Sequence, residues 1–335
     1  MRITTSAIIR NYKSNLSTSI SNLNLSRTRV MTQRSFNSVA ENPGLAARAS
    51  QLHRRYYKNQ DNLDMLNDVQ SRQDGQEDAL RQISDVVKTI SKDYNIKVMN
   101  STNQTPEIRE TYAAAIRQFQ ESMVLSLNST YEDTYLFAGS DGKNPPFNLS
   151  SDGKLTYRGV DVDSSSGIDL AKLKKLSNDN LFVDLGMGLS LNEYDQVDPS
   201  SAFNMSLPGI NAVGYGKDEN GMSNNVIVLA GQLADVLEAD TFDSEAYGKL
   251  MGKFDNVASS IMNQITEIGV KTEFLSSTKD RLENNNISLQ EQMQKVEGVD
   301  MAKAITDYSW DQYAYNAALK IGTSILSPSF IDFMK

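Results

Sequence analysis

The stretch GINAVGYGKDENG, residues 209–221, has the glycine density of a loop that wraps a phosphate with backbone N–H groups. That chemistry needs a Lys directly after the second Gly of a Gly-x-x-x-x-Gly frame, and Tyr215 stands there after Gly214. DVDSSSG opens like a calcium loop at Asp161 and Asp163, but Gly167 comes one position late and no Glu follows where the seventh ligand belongs. No Gly-x-Ser-x-Gly nucleophile elbow occurs. The single histidine, His53, excludes a multi-histidine metal site, and its setting in LHRRYYK reads as a surface side chain on a helix. Arg54, Arg55 and Lys58 beside it read as a solvated helix face. Trp310 lies among tyrosines at heptad spacing, which favours packing over ligand stacking. Acid pairs such as those in NEYDQVD carry little weight in a chain with 42 acidic residues. The residues therefore point to no catalytic group, no cofactor and no metal.

Composition narrows the classes further. The 335 residues carry a formal charge of −9, which argues against a nucleic-acid partner for the chain as a whole. Without cysteine there is neither a disulfide nor thiolate chemistry. No run of about 18 apolar residues is present, so membrane insertion by a helix is not expected. The first forty residues are distinct. They hold Arg2, Arg10, Lys13, Arg27, Arg29 and Arg34, with no acid before Glu41. The segment lacks the apolar core of a secretory signal and has the Arg- and Ser-rich, acid-poor composition of an organellar transit peptide.

Spacing at the two ends suggests another use. Ile9, Leu16, Leu23 and Val30 recur every seven residues, with Tyr12 and Ile20 near the same stripe. At the other end Met301, Ile305, Tyr308, Gln312, Tyr315, Leu319, Gly322 and Leu326 alternate by four and three, flanked by small residues such as Ala304 and Ala318. Ile261, Ile268, Leu275, Leu282, Leu289 and Val296 hold a third seven-residue register. Leu45, Leu52, Leu66, Leu80, Val87 and Tyr94 hold a fourth, interrupted by Asn59 and Gln73. Gly75 reads as a local break in it. Another helix is predicted from TPEIRE, with Thr105 as cap and Pro106 at the first position, running through to YLF. The terminal stripes are too thin to stand alone, so each must bury itself on the other terminus and on further copies of the chain.

Between residues 140 and 225 the pattern changes. Asp152-Gly153 between FNLS and KLTYRG signals a hairpin with a primed turn. Short apolar runs broken by Gly and Pro follow, and IDLAKLKKL suits a short helix. YLFAGS (Tyr135, Leu136, Phe137, Ala138, Gly139, Ser140) then closes the outgoing helix and hands the chain to an outward β-rich block. The expected architecture is mainly α with a β-rich insertion. It is a long antiparallel helical rod with its N- and C-terminal helices paired. The expected segments are 1–40 and 300–335 as coiled-coil ends, 41–138 and 226–299 as the halves of the rod, and 139–225 as the insertion.

Two stretches resemble the bacterial flagellin family. In SVAENPGLAARASQL, the residues Asn42, Pro43, Gly44 and Leu45 match the family's turn into its first long helix. The tail resembles the family's C-terminal helix at Asp300, Ala302, Ala314, Leu319, Ile325, Leu326 and Phe330. YLFAGS followed by a hairpin and YRG is similar to hook-associated members of the family. The resemblance implies a structural flagellar component, an adaptor at the hook-filament junction that self-assembles through terminal helices and seats the filament. It implies an assembly interface of Ile9, Tyr12, Leu16, Leu23, Val30, Met301, Ile305, Tyr308, Tyr315, Leu319, Leu326 and Phe330. It also implies a homo-oligomeric helical ring, neighbouring hook-associated protein and flagellin, a cytoplasmic export chaperone, and export outside the cell without a cleaved signal. A filament-forming flagellin is the nearest alternative. A secreted coiled-coil adhesin or phage-tail fibre is more remote.

Overall fold

The structure is a computed structural model that describes residues 2–100, 105–164 and 167–326. In chain order the helices are α1 (Arg2–Thr32), α2 (Pro43–Lys88), a π-helical turn (Thr89–Tyr94), α3 (Asn95–Met99) and α4 (Pro106–Leu127). Two-residue strands β1 (Thr130–Tyr131) and β2 (Thr134–Tyr135) follow, then β3 (Phe147–Leu149), β4 (Leu155–Tyr157), β5 (Val160–Asp161) and α5 (Gly167–Ser177). The chain continues through β6 (Phe182–Val183), β7 (Phe203–Asn204), α6 (Gly209–Val213), α7 (Val226–Glu238), α8 (Ser244–Glu297) and α9 (Met301–Leu326). Long helices pack antiparallel, and small β-sheets lie between the helical halves. The chain divides into two compact units, Met1–Gln60 with Glu283–Lys335, and Asp61–Leu282.

In the second unit the seven-residue registers are the core. Leu66 and Leu80 are fully buried, Leu275 likewise, and Ile261, Ile268 and Leu282 are within 2% of it. Burying each such side chain stabilises the unit by roughly 1.5–3 kcal/mol. Helix α7 buries eight of its residues and keeps Asp235 and Glu238 exposed, so most of its circumference faces the core and one edge faces solvent. It lies antiparallel to α4. Gln120 Nε2 donates to the Ile227 carbonyl at 2.9 Å, and Arg117 reaches Asp235 and Glu238 near the far end of α7. Buried Arg109 donates to the carbonyls of Leu237 and Ala239, supplying the donors that the end of a helix lacks. At the start of α7, Asn225 Oδ1 accepts from the N–H groups of Ile227 and Val228.

The structure changes several expectations. Helix α2 runs straight through Gly75. A Cβ there would stand 3.1 Å from Leu136 Cδ1, so the glycine makes room for YLFAGS instead of breaking the helix. Helix α4 stops at Leu127, ten residues before Phe137, because the β-branched and aromatic run from Thr130 to Tyr135 forms a hairpin. Its two turn residues, Glu132 and Asp133, both take positive φ, the twist that a two-residue hairpin requires. Thr105 precedes α4 without a side-chain capping bond. The β3–β4 hairpin forms as expected, but its loop spans residues 150–154 with Gly153 alone at positive φ, in place of a two-residue primed turn. IDLAKLKKL does form α5. Phe147, Leu155, Tyr157, Val162 and Leu173 belong to the same buried cluster as α2, α4, α7 and α8. The segment between the helical halves thus shares their core and is not held outward from it.

In the first unit, Ala49 and Leu52 of α2 pack on Val296 of α8, with Leu289 and Met293 alongside. Asn59, which interrupts the leucine register, is buried and donates to Asn286 Oδ1 at 3.0 Å, while Asn286 donates to Gln60 Oε1. His53 is half-buried and contacts Glu297 at 2.5 Å, with Arg34 on the same carboxylate. Arg54, Arg55 and Lys58 are exposed, as expected of a solvated face.

Gly75 separates two effects by size. Gly75→Ala gains about 1 kcal/mol of helix propensity and meets only a side-chain methyl, so its thermal unfolding is expected to stay within about 1 kcal/mol of the parent. Gly75→Leu must displace Leu136 and is expected to lose about 1–3 kcal/mol in the same measurement. Equal stability of the two variants would remove the packing explanation.

Candidate assembly surface

Helices α1 and α9 pair antiparallel inside the first unit. Val299 N donates to the Gln33 carbonyl at 3.1 Å and Ser35 N to the Glu297 carbonyl at 2.7 Å, so the ends next to the long helices are tied by backbone. Toward the other ends, the Tyr12 hydroxyl occupies the place a Cβ of Gly322 would need. Gly322 therefore admits the tyrosine ring where any other residue would push the helices apart.

The stripe on α1 runs through Ile9, Tyr12, Leu16, Ser19, Leu23, Ser26 and Val30, all of them half-buried except Ser26, which is buried. Its Oγ donates within the helix to the Asn22 carbonyl at 3.1 Å. On α9 the matching stripe is Met301, Ala304, Tyr308, Asp311, Tyr315, Ala318 and Gly322. Half of the expected α9 register therefore faces α1: Met301, Tyr308, Tyr315 and Gly322. The other half is rotated by one residue, because small Ala304 and Ala318 fill the close positions in place of Ile305 and Leu319. Those two side chains remain 50% and 40% exposed. Leu326 ends α9, and Phe330 lies outside the described residues.

Several apolar groups share that exposure: Ile8, Ile20 and Met31 on α1, and Trp310, Tyr313 and Ile321 on α9. Trp310 is 67% exposed and touches Tyr313 edge-on, so within the single chain it is largely uncovered. Heptad reading passed over Ile8, Met31 and Ile321, which fall between stripe positions, and placed Ile20 near the stripe and Trp310 at heptad spacing. The usable signal was the excess of large apolar residues on α9 beyond what one narrow stripe accounts for. Such a surface suits burial against other helices. Among the described residues no group of three His, Cys, Asp or Glu is placed to hold a metal ion, and no helix is long and apolar enough to cross a membrane.

The motif residues have positions of their own. Asn42 Oδ1 accepts from Leu45 N at 3.1 Å and caps α2, whose first residue is Pro43, while Gly44 and Leu45 complete the first turn. Tyr135 closes β2, and Leu136, Phe137, Ala138 and Gly139 run buried without a strand partner. Their carbonyls are satisfied by side chains and one distant N–H. Arg72 donates to Tyr135, Gln76 to Leu136, Tyr157 and Gly209 N to Phe137, and Arg158 to Ala138. At the end of the run Gly139 has φ +69°, and a Cβ there would lie 2.8 Å from Asp179 Oδ2. That oxygen accepts from Ser140 N (2.9 Å), Ser140 Oγ (2.6 Å) and Arg158 (3.0 Å). Gly139-Ser140 is thus a carboxylate cradle internal to the unit, while the first motif is a helix start; neither belongs to the exposed apolar surface.

No protein-family model matches the chain, and no curated protein matches its sequence. Solved structures do. A Vibrio parahaemolyticus structure assigned to a flagellar hook-associated protein aligns with TM-score 0.60 at 15% identity, covering 77% of this chain and 100% of that one. Bacillus cereus FlgL aligns with TM-score 0.50 at 16% identity, covering 73% of this chain and 99% of its own. The chain shares their fold. At these identities few side chains are held in common.

Burial alone would raise the Asp179 carboxyl, but the hydrogen bonds from Ser140 and Arg158 outweigh it and hold the group below the usual carboxylate range. A lowered folded value contributes stability above the unfolded value and loses it as pH falls through the folded one. The stability difference between the parent and Asp179→Asn is therefore expected to be largest near neutrality and to shrink on acidification, as read by urea unfolding across pH. A difference that stays constant with pH would show that the carboxylate charge is not what Ser140 and Arg158 hold.

Proposed function

We propose that this chain is a structural, non-enzymatic component of the bacterial flagellum, of the hook-associated protein 3 type. It sits between hook and filament and seats the first flagellin subunits. The observation that carries this reading is the α1–α9 pair. It is joined by one thin stripe and leaves Ile305, Trp310, Tyr313, Leu319 and Ile321 open on α9. A lone pair gains little from such residues, whereas a ring of copies buries them in every subunit. The fold shared with flagellar hook-associated structures supports the setting. In this reading segments 1–40 and 300–335 assemble the ring, 41–138 and 226–299 carry the helical halves, and 139–225 faces the same core. The acid-poor N-terminus serves as an uncleaved export signal, a chaperone holds the chain before export, and the neighbours in place are a second hook-associated protein and flagellin.

Deleting the chain is expected to leave hooks without filaments and to spill flagellin into the medium, as seen by electron microscopy and in culture supernatants. Hooks that still carry filaments would overturn the junction role, and loss of the filament protein itself would favour the flagellin alternative. Within the assembly, Leu319→Asp puts a carboxylate into each subunit contact, at several kcal/mol per buried unpaired charge. With Leu319 already 40% exposed in the single chain, monomer unfolding should not change while filament growth is lost. Lys320→Asp, on an exposed neighbouring position, should support filaments. Normal filaments on Leu319→Asp would remove this residue from the interface.

A further inference from the structure

The second unit carries two features that neither its core nor the terminal helices use. The first is a hairpin tip. After β6 the chain runs out to Leu191, which bridges to Val197, and returns to β7. Leu189, Leu191 and Tyr194 are 51%, 57% and 80% exposed there, and Glu193 and Asp195 are exposed between them. Exposed apolar side chains usually sit on segments that can adapt, but this tip is held. Asn192 N donates to the Gln196 carbonyl at 2.8 Å, and Asn192 Oδ1 accepts from Tyr194 N and Gln196 N at 2.9 and 3.0 Å. Ser201 Oγ accepts from Ser190 N at 3.0 Å and donates to the Asp198 carbonyl at 2.8 Å. A preformed tip spends little ordering entropy on docking.

The second feature is a cleft of about 730 Å³ beside α5. Its walls include Pro145, Val160 and Leu176, and its rim carries Lys172 and Lys175. Asp179 and Arg158 also line it but neutralise one another, and Asp141 lines it as well. Lys172 pairs with exposed Asp169, and Lys174 adds a further cation on the same short helix. In a chain of net charge −9 this is a local positive surface with an apolar floor. The segment that carries the tip is its complement: no Lys or Arg stands between Lys175 and Lys217.

The two features lie at different levels of the unit. Gly186, at the base of the tip, abuts Asn62 of α2. The cleft adjoins Ser140, just past Leu136, whose carbonyl takes the Gln76 side chain. Residues 62 and 76 are separated along α2 by roughly 21 Å. Two unlike patches at different levels make a head-to-tail contact, which propagates along a ring or helix where a self-complementary patch would close on a dimer.

We propose that the tip at Leu191–Tyr194 of one copy docks in the α5 cleft of the next copy, with Tyr194 and Leu191 against the apolar floor and Glu193 and Asp195 against Lys172 and Lys175. This rests on the self-assembly part of the reading above and adds a contact that the terminal helices do not make.

The chain has no cysteine, so an introduced pair reports contact without background. Gln196 at the tip and Asn144 at the cleft are both exposed, and replacing them leaves the proposed contact residues in place. The full-length chain carrying Gln196→Cys and Asn144→Cys, purified and oxidised at high concentration, is expected to form a ladder of disulfide-linked multimers. Its yield should exceed at least ten-fold that of a control pairing Gln196→Cys with Arg55→Cys. Lys175→Glu should reduce the ladder about ten-fold, adding Glu193→Lys should restore it, and salt near 1 M should weaken it, since exposed charges are then screened within about 3 Å. Monomer alone, an intrachain disulfide, or dimers that stop at Gln196-to-Gln196 links would each overturn the contact. If filaments require the chain and no ladder forms, the contact fails and the junction role stands. If the ladder forms while a deletion strain still builds filaments, the contact stands and the junction role fails.

Discussion

Four consecutive carbonyls, those of residues 135–138, lie where water and strand neighbours cannot both reach them. Buried backbone without a ladder is costly unless each group finds a partner. Here the partners come from three directions: Arg72 and Gln76 from α2, Tyr157 and Arg158 from the β4 hairpin, and Gly209 N from the approach to α6. The run from Tyr135 to Ala138 therefore acts as a tie-bar. It fixes α2 against the small sheets, and Leu136 leaves little room for a side chain at position 75. Gly139 and Asp179 terminate the bar. Much of the second unit's geometry follows from satisfying these few atoms.

The first unit follows the opposite rule. Its buried apolar cluster is small, Ala49, Leu52 and Val296, and among the described residues α1 buries only Ser26 while α9 buries Ala304 and Gly322. Small residues bring the helices close, which improves dispersion along the line of contact but removes little apolar area from water. The large side chains that would supply that area point elsewhere. A pair built this way is joined along a line and left open on its flanks.

The long registers were legible because a period of seven imposes the same face over many turns: Ile261, Ile268, Leu275 and Leu282 are all buried, and so are Leu52, Leu66 and Leu80. The β3–β4 hairpin and α5 were legible from turn residues and local pattern. The end of α4 was not, because STYEDTY can be read with helical spacing until the two-residue turn at Glu132 and Asp133 is allowed for. The role of Gly75 was hidden for a different reason: its reason for being glycine sits 61 positions away, in Leu136. On the candidate surface, Ile9, Leu16, Leu23 and Tyr308 were placed on the stripe by spacing alone. Ile305 and Leu319 fitted the same spacing yet face away from α1. A four-three alternation does not distinguish adjacent rows when alanines flank it, and side-chain size decided which row moved inward.

The Asn59–Asn286 hydrogen bond, with Gln60 joined to it, lies within a mainly apolar stripe that includes Leu45, Leu52, Leu289 and Val296. Leucine is interchangeable with leucine, so an apolar stripe by itself permits α2 to slide along α8 in steps of seven residues. Each step would set two amides against hydrocarbon, and an unpaired buried amide costs on the order of 1–3 kcal/mol. The amides thus act as a vernier mark. An insertion or deletion in these helices keeps the pairing only as matched multiples of seven residues on both helices, on the same side of the mark. The loops and small sheets between the helices carry no such constraint.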